Sequence, residues 1–276
     1  MNKKRVLWIL CMAALSLMLV TVVRSRLDNR TDVIFGGAEG AYVRSDSVSF
    51  ADPKGIETPE PTEDIWPKIN IELPQYYLVN DAHPIASPRY APEDISVIEG
   101  TGYMMFDTAT KPYLEAMLQD MRDHGFSVYV AGAYRDYTYQ KYLFDGKASQ
   151  IALGMGLEGD EIWLDPRYQE AVAEARTITM FPGTSEHQLG LAVDLMDKPY
   201  SKMVYENMNQ EFFKYLDSIC AKYGFIKRYP TRKLLLTGWD EPWHYRYVGV
   251  EAATFIMEQG LCYEEFYAHY VPDFEY

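Results

Sequence analysis

The sequence predicts an α+β fold: one domain over 71–276 with a small central antiparallel sheet flanked by helices, preceded by an N-terminal transmembrane helix. Three observations lead there. The first 70 residues hold one long apolar run and are otherwise polar and broken by Pro and Gly. Beyond them, runs with helical spacing and short alternating runs both occur. The short apolar runs gather toward the C-terminal half instead of alternating strictly with helices, which favours α+β over a parallel α/β sheet.

In chain order, the tail 1–5 carries Lys3, Lys4 and Arg5 and leads into residues 6–23, eighteen residues without a charge. At about 1.5 Å per residue this run reaches about 27 Å, close to a bilayer's hydrocarbon thickness. No small-x-small cleavage site follows it, so it reads as an uncleaved signal-anchor with a cytoplasmic tail, the alternative being a cleaved signal and a secreted product. Residues 24–70 read as a flexible extracellular linker, with Gly36-Gly37, Gly40 and the stretch Pro59 to Asp64.

Within 71–276, Pro112 to His124 sets Leu114, Met117, Leu118 and Met121 at helical spacing, with Gly125 placed to stop it. Phe126 to Ala133 alternates and reads as a strand. Helices follow at Tyr137 to Leu153 and Asp165 to Arg176, the second with Asp165 as N-cap and Pro166 in its first turn. Leu189 to Leu195 reads as a strand and Gln210 to Tyr223 as a helix closed by Gly224. Three strands are then expected, at Phe225–Tyr229, Lys233–Thr237 and Trp243–Val248, before a helix at Val250 to Gln259 and an aromatic tail.

Composition narrows the function. The net charge is −14, and beyond residue 23 there are 23 basic against 40 acidic side chains. That excludes a nucleic-acid backbone as the main partner, which needs clustered Lys and Arg. Three cysteines in 276 residues exclude a zinc-finger array and a disulfide scaffold, although Cys220 and Cys262 could pair outside a membrane.

Two of the five histidines keep unusual company. His187 stands in Ser185-Glu186-His187-Gln188-Leu189-Gly190-Leu191-Ala192-Val193-Asp194, and His244 in Glu241-Pro242-Trp243-His244-Tyr245-Arg246-Tyr247. Neutral imidazoles and a carboxylate are the usual ligands of catalytic zinc when no thiolate is supplied, and three protein ligands leave a fourth position for water. His187, Asp194 and His244 are therefore the candidate ligands of one Zn²⁺. Glu241, not itself a ligand, is the candidate base. Read singly, a histidine beside a tryptophan is more often a packed core residue than a ligand, and a Gly-x-Ala-x-Asp run is more often a strand entering a turn.

These two segments closely resemble the zinc-site motifs of VanY-type D-alanyl-D-alanine carboxypeptidases, a family of peptidoglycan metallopeptidases. Tyr77-Leu78-Val79-Asn80 with Pro84, Ala131 to Tyr137 with Gln140, Tyr223 to Pro230, and Thr237-Gly238 match in the expected order across about 200 residues. Asp136 departs from the family's usual Ser after Arg135. The resemblance implies a DD-peptidase/Hedgehog-like α+β fold, with zinc on His187, Asp194 and His244 and Glu241 as catalytic base. It implies that Arg135 binds substrate and stabilises the developing oxyanion, and that Gln140 and Ser185 contact the peptide terminus.

The expected protein is thus a monomeric, single-pass membrane protein of a bacterial cell, with an extracellular zinc carboxypeptidase domain that removes the terminal D-Ala of peptidoglycan stem peptides. L,D-carboxypeptidase and D,D-dipeptidase activity on the same site are alternatives, as is a non-catalytic wall-binding module. The stretch between Gln140 and Ser185, including Gly154–Trp163, is expected to border the cleft. A sensor ectodomain is disfavoured because only five residues precede the apolar run.

Overall fold

Residues 65–199 and 208–274 are described in the computed structural model. The tail, the apolar segment 6–23 and the linker up to 64 lie outside the described residues. Among the described residues, no helix is long and apolar enough to cross a membrane. Trp66, in the segment read as linker, stacks on His269 with ring centroids 3.8 Å apart and packs against Phe255 and Phe266.

Two antiparallel sheets form among the described residues. A short hairpin pairs β1 (Ile95–Val97) with β2 (Met105–Asp107). Sequence reading missed it because three-residue strands are too short to display a period. The main sheet comprises β3 (Tyr129–Gly132), β4 (Ala192–Met196), β5 (Phe225–Tyr229) and β6 (Glu241–Tyr247), in the order β3-β4-β6-β5 with every neighbour antiparallel. Strand alternation gives this sheet two characters. Val193, Leu195, Phe225, Tyr245 and Tyr247 belong to the larger hydrophobic cluster. The intervening positions include Asp194, Arg228, His244 and Arg246, all buried and all polar.

The apolar face is covered by α1 (Lys111–Asp123), through the four residues its spacing marked, and by α4 (Gln210–Ile219) through Phe212, Phe213 and Leu216. Asn209 caps α4 by accepting from the backbone N–H groups of Glu211 and Phe212. Between β3 and β4, α2 (Tyr137–Gly154) and α3 (Tyr168–Arg176) pack on each other, with Phe144, Ala148 and Ala175 forming one small cluster and Ala152, Leu157, Ile162 and Ala171 another. A second core joins α5 (Val250–Gln259) and α6 (Tyr263–Tyr270) to Ile226 and Val248.

Several expectations are corrected. The Lys233–Thr237 run is not a strand: Thr231–Lys233 is a 3-10 turn and Leu234–Thr237 a helical turn closed by Gly238 at φ 73°. Leucine has no β-branch to favour a strand, and here the Lys233 and Gly238 N–H groups bond locally, to Pro230 and Leu234. The strand expected from Phe126 begins only at Tyr129, because the Phe126 N–H turns back to the Met121 carbonyl and finishes α1. Asp165 does not cap a helix. It accepts from the Arg167 N–H and guanidinium, and α3 starts at Tyr168. Leu189 ends the 3-10 turn Glu186–Leu189, with β4 starting at Ala192, while α4 gives way to a 3-10 turn at Cys220–Tyr223 before Gly224. The aromatic tail holds a further helix, α6. Cys220 and Cys262 are separate buried thiols, both pushed up to about 12 by burial.

Candidate active site

The site is built on one row of the main sheet. Gly132 of β3, Asp194 of β4 and His244 of β6 are directly paired neighbours across three strands. Directly opposed residues point to the same face, so Asp194 and His244 meet: His244 Nδ1 lies 3.0 Å from Asp194 Oδ1. On the other side, Gly132 offers no side chain. A Cβ there would collide with Asp194 Oδ2 and stand 3.4 Å from His187 Cε1. His187 comes from outside the sheet, on the turn Glu186–Leu189, which Gly190 closes in the left-handed region at φ 72°. Its Nδ1 lies 2.7 Å from the Ala133 carbonyl, which leaves Nε2 facing Asp194 Oδ2 at 3.2 Å.

Glu241 reaches the site through an irregularity. Three residues before His244, strict alternation would put it on the opposite face. Lys227 pairs with Tyr245, whereas Tyr229 pairs with Glu241, so β6 spends four residues where β5 spends two. Pro242, which has no N–H for the ladder, lies in this bulge. The bulge brings Glu241 Oε2 to 3.9 Å from His244 Nδ1, with the side chain still 20% exposed.

Charge is tuned by burial and by partners. Burial, with help from Arg135, holds His187 down to about 4, so the ring is neutral and its Nε2 is a ready donor. Burial would lower His244 too, but the Asp194 and Glu186 carboxylates raise it to about 9. Burial opposes ionisation of Asp194, yet the two imidazoles keep it well below the usual carboxylate range. Glu241 is pushed by burial up to about 7, Asp194 adding to the effect and His244 and Arg135 opposing it.

His187, Asp194 and His244 offer ligand atoms that all lie within 4.8 Å of one another, and all three residues are buried. Two imidazole nitrogens and one carboxylate form a donor set suited to zinc, and the glycine opposite keeps the carboxylate's space clear. These residues fit the ion.

Arg135 follows β3, its backbone N–H donating to the His187 carbonyl at 3.2 Å. The carboxylates near it in sequence are engaged elsewhere: Asp136 caps α2 through the Tyr139 N–H, and Asp145 pairs with Lys141. The buried Arg135 Nε has no partner among the described residues. Gln140 is buried on α2 and spends its amide N–H on the Met180 carbonyl at 2.7 Å, which leaves Oε1 buried and unpartnered. Ser185 is buried at the entry to the His187 turn, where its side chain makes no capping bond. The other three histidines are packed away from the site: His83 on Phe274, His124 on Tyr215, and His269 on Trp66.

Residues 104–250 match the family model of VanY, D-alanyl-D-alanine carboxypeptidase. The chain belongs to the VanY family. It is 37% identical over 190 residues to a D-alanyl-D-alanine carboxypeptidase of Enterococcus faecalis, covering 68% of this chain and 64% of that protein. It is 31% identical over 223 residues to the putative carboxypeptidase YodJ of Bacillus subtilis, covering 77% and 70%. The fold is similar to that of the vancomycin-resistance D,D-pentapeptidase VanY from the VanB-type cassette, solved with Zn(II), at 36% identity and TM-score 0.54 over 68% of this chain and 96% of that one. The LdcB LD-carboxypeptidase is also similar, at 27% identity and TM-score 0.57, over 70% and 86%.

Sequence reasoning missed the charges beneath the site. Glu186 is fully buried, with Oε1 2.7 Å from Arg228 Nε and 3.2 Å from Arg246 Nη1, and Oε2 3.3 Å from His244 Nε2. Burial works against its charge, but Arg228 and Arg246 hold the carboxyl well below the usual range. Arg228 is gripped from its far side by Glu264 of α6, through two hydrogen bonds of 2.9 and 2.6 Å. The available signal was Arg228 and Arg246 in strands that the pattern places in the core, where an unpaired charge would be costly.

Proposed function

We propose that this protein is a zinc-dependent D-alanyl-D-alanine carboxypeptidase that removes the terminal D-Ala from peptidoglycan stem peptides. One observation carries the reading: a buried His-Asp-His donor set with a separate carboxylate, Glu241, 3.9 Å from one of its ligands. Zinc on His187, Asp194 and His244 would acidify a bound water and polarise the scissile carbonyl. Glu241 takes a proton from the attacking water and returns one to the departing amine, so a C–O bond forms as the C–N bond breaks. Burial favours the protonated carboxyl, which suits a group that takes up a proton and passes it on.

Arg135 supplies a fixed positive charge beside the site, with its buried Nε unpaired until substrate arrives. Its guanidinium suits the substrate's carboxylate and the developing oxyanion. In this reading Gln140 contacts substrate through Oε1, its donor side being occupied, and Ser185 through its hydroxyl. The apolar segment 6–23 anchors a monomeric domain outside a bacterial membrane, a reading supported by its length and by Lys3, Lys4 and Arg5. The relatives include a VanY solved with D-alanine-D-alanine and a bifunctional D-Ala-D-Ala dipeptidase and carboxypeptidase of Enterococcus gallinarum.

L,D specificity is the second reading, favoured by the similarity to LdcB. The test uses residues 61–276, which retain the Trp66 contacts, in zinc-loaded and zinc-stripped forms. Each is incubated with stem pentapeptide and with tetrapeptide, and released D-Ala is quantified. Zinc-dependent release from pentapeptide alone is expected. Release from tetrapeptide alone would move the activity to L,D, and release from neither would point to a dipeptidase or a wall-binding module. Glu241→Ala should keep zinc and lose about 10²- to 10⁴-fold in turnover. Near-normal turnover would remove Glu241 from its role.

A further inference from the structure

Each histidine of the donor set must present one ring nitrogen and protonate the other. For His187 the backbone decides, since Nδ1 faces the Ala133 carbonyl at 2.7 Å, which can only accept. For His244 no carbonyl does this work. Its Nε2 faces a carboxylate oxygen, Glu186 Oε2, at 3.3 Å, while Nδ1 faces Asp194. We propose that Glu186 is a positioning residue that selects the Nε2–H form of His244 and so presents Nδ1 as the metal donor, and that Glu264 on the last helix holds Glu186 in place through Arg228.

The geometry supports this arrangement. Glu186 has no exposed atoms to trade with water, and its two oxygens are divided between tasks. Oε1 takes Arg228 Nε at 2.7 Å and stands 3.2 Å from Arg246 Nη1, whereas Oε2 faces His244 Nε2. Arg228 is in turn fixed by the bidentate grip of Glu264, which is 2% exposed. Arg246 is anchored independently, through Nη2 to the Gln75 and Tyr77 carbonyls at 3.1 and 3.2 Å. Two arginines therefore orient the carboxylate, and the carboxylate orients the imidazole. Outer partners of this kind commonly tune metal affinity as well as fold. The inference rests on the reading of this site as a metal centre.

Glu186→Gln is the informative variant because it is isosteric. The arginines have only N–H donors to offer, so the amide must turn its oxygen toward them and its NH2 toward His244. Nε2 then has to accept, Nδ1 carries the proton, and the metal donor is lost. The measurements are zinc affinity by chelator competition on the full chain and the ring nitrogen shifts of His244 in the zinc-loaded protein. Glu186→Gln is expected to weaken zinc by about 10- to 100-fold and to move the His244 proton off Nε2. Glu264→Gln, one step further out, is expected to weaken zinc less and in the same direction.

Asp120→Asn serves as the control for destabilisation alone and should leave zinc affinity unchanged. A folded Glu186→Gln protein that binds zinc as the parent does and keeps Nε2 protonated would overturn the proposal. Should Glu186→Gln fail to fold, Glu264→Gln decides, since unchanged zinc affinity there would overturn the relay. Because the readouts are metal affinity and a ring protonation state, not D-Ala release, failure of the proposed activity and failure of this inference are separate results.

Discussion

At the scale of single residues, the site depends on an absence as much as on its donors. Gly132 is paired with Asp194, and its missing Cβ is the space that Asp194 Oδ2 occupies. Gly132→Ala should therefore displace the carboxylate and lower zinc content after dialysis at least tenfold, by the scale of other outer-partner changes, while the sheet still folds. Retention of full zinc would show that the strand yields instead. His244 makes a second prediction. With its value raised to about 9, the metal-free ring carries a proton at neutral pH, and a metal must displace it. Zinc affinity should thus fall by about tenfold for each unit the pH drops from 8 to 6, as read by chelator competition. A flat profile would mean that the ring is already neutral. The candidate donors could be named from the sequence because only five histidines occur and two of them stand in segments that resemble the VanY zinc-site motifs, which also pick out Asp194. The role of Gly132 could not, since a glycine in a strand also marks a bulge or a bend.

At the scale of elements, α1 shows how far a hydrophobic period carries. The spacing of Leu114, Met117, Leu118 and Met121 marked the buried face, and those four side chains are buried. The period was silent on the flank of that face, where Asp120 ties the helix to its neighbours by accepting from the Tyr215 and Tyr223 hydroxyls and from Lys222. These donors hold its carboxyl down to about 2. A depressed folded-state value contributes stability that is present above the unfolded value near 4 and lost as pH falls through the folded one. Stability should therefore decline between about pH 4 and pH 2, and Asp120→Asn should be less stable at pH 7 and lose less across that window, measured by urea denaturation. Equal slopes for both proteins would remove Asp120 from the account. The bulge in β6 is the other lesson at this scale. The expected strand began at Trp243, short of Glu241; β6 starts at Glu241, strict alternation through it would set Glu241 and His244 on opposite faces, and the irregular pairing with β5 brings them together.

At the scale of the whole molecule, the segment from Gln140 to Ser185 folds as a helical hairpin. The expectation that Gly154–Trp163 borders the cleft is tested at Trp163. The eighteen residues of α2 start two positions after Arg135 and run about 27 Å, which sets the loop after Gly154 at the other end of that helix. Trp163, 58% exposed, should then be dispensable: Trp163→Ala is expected to keep kcat/KM within about twofold, in line with surface changes remote from any site. A tenfold loss would bring the loop back to the substrate. By contrast, α6 acts at a distance, because Glu264 reaches the site through Arg228. An aromatic C-terminal tail gave no hint of this, since burial of a glutamate depends on which arginine the fold sets opposite it.

The sequence by itself determined the class of chemistry. Two short motifs that resemble those of the VanY family supply two imidazoles, an aspartate and a glutamate, the proposed donors and base, and the periodicities specify an α+β layout. The tertiary structure decided what those groups are able to do: which nitrogen each imidazole presents, which face Glu241 occupies, and which charges stand behind His244. Residue identity carries pKa class and ligand softness from the start. Tautomer, burial and partner are set only when β3, β4, β5 and β6 come into register and exclude water between them.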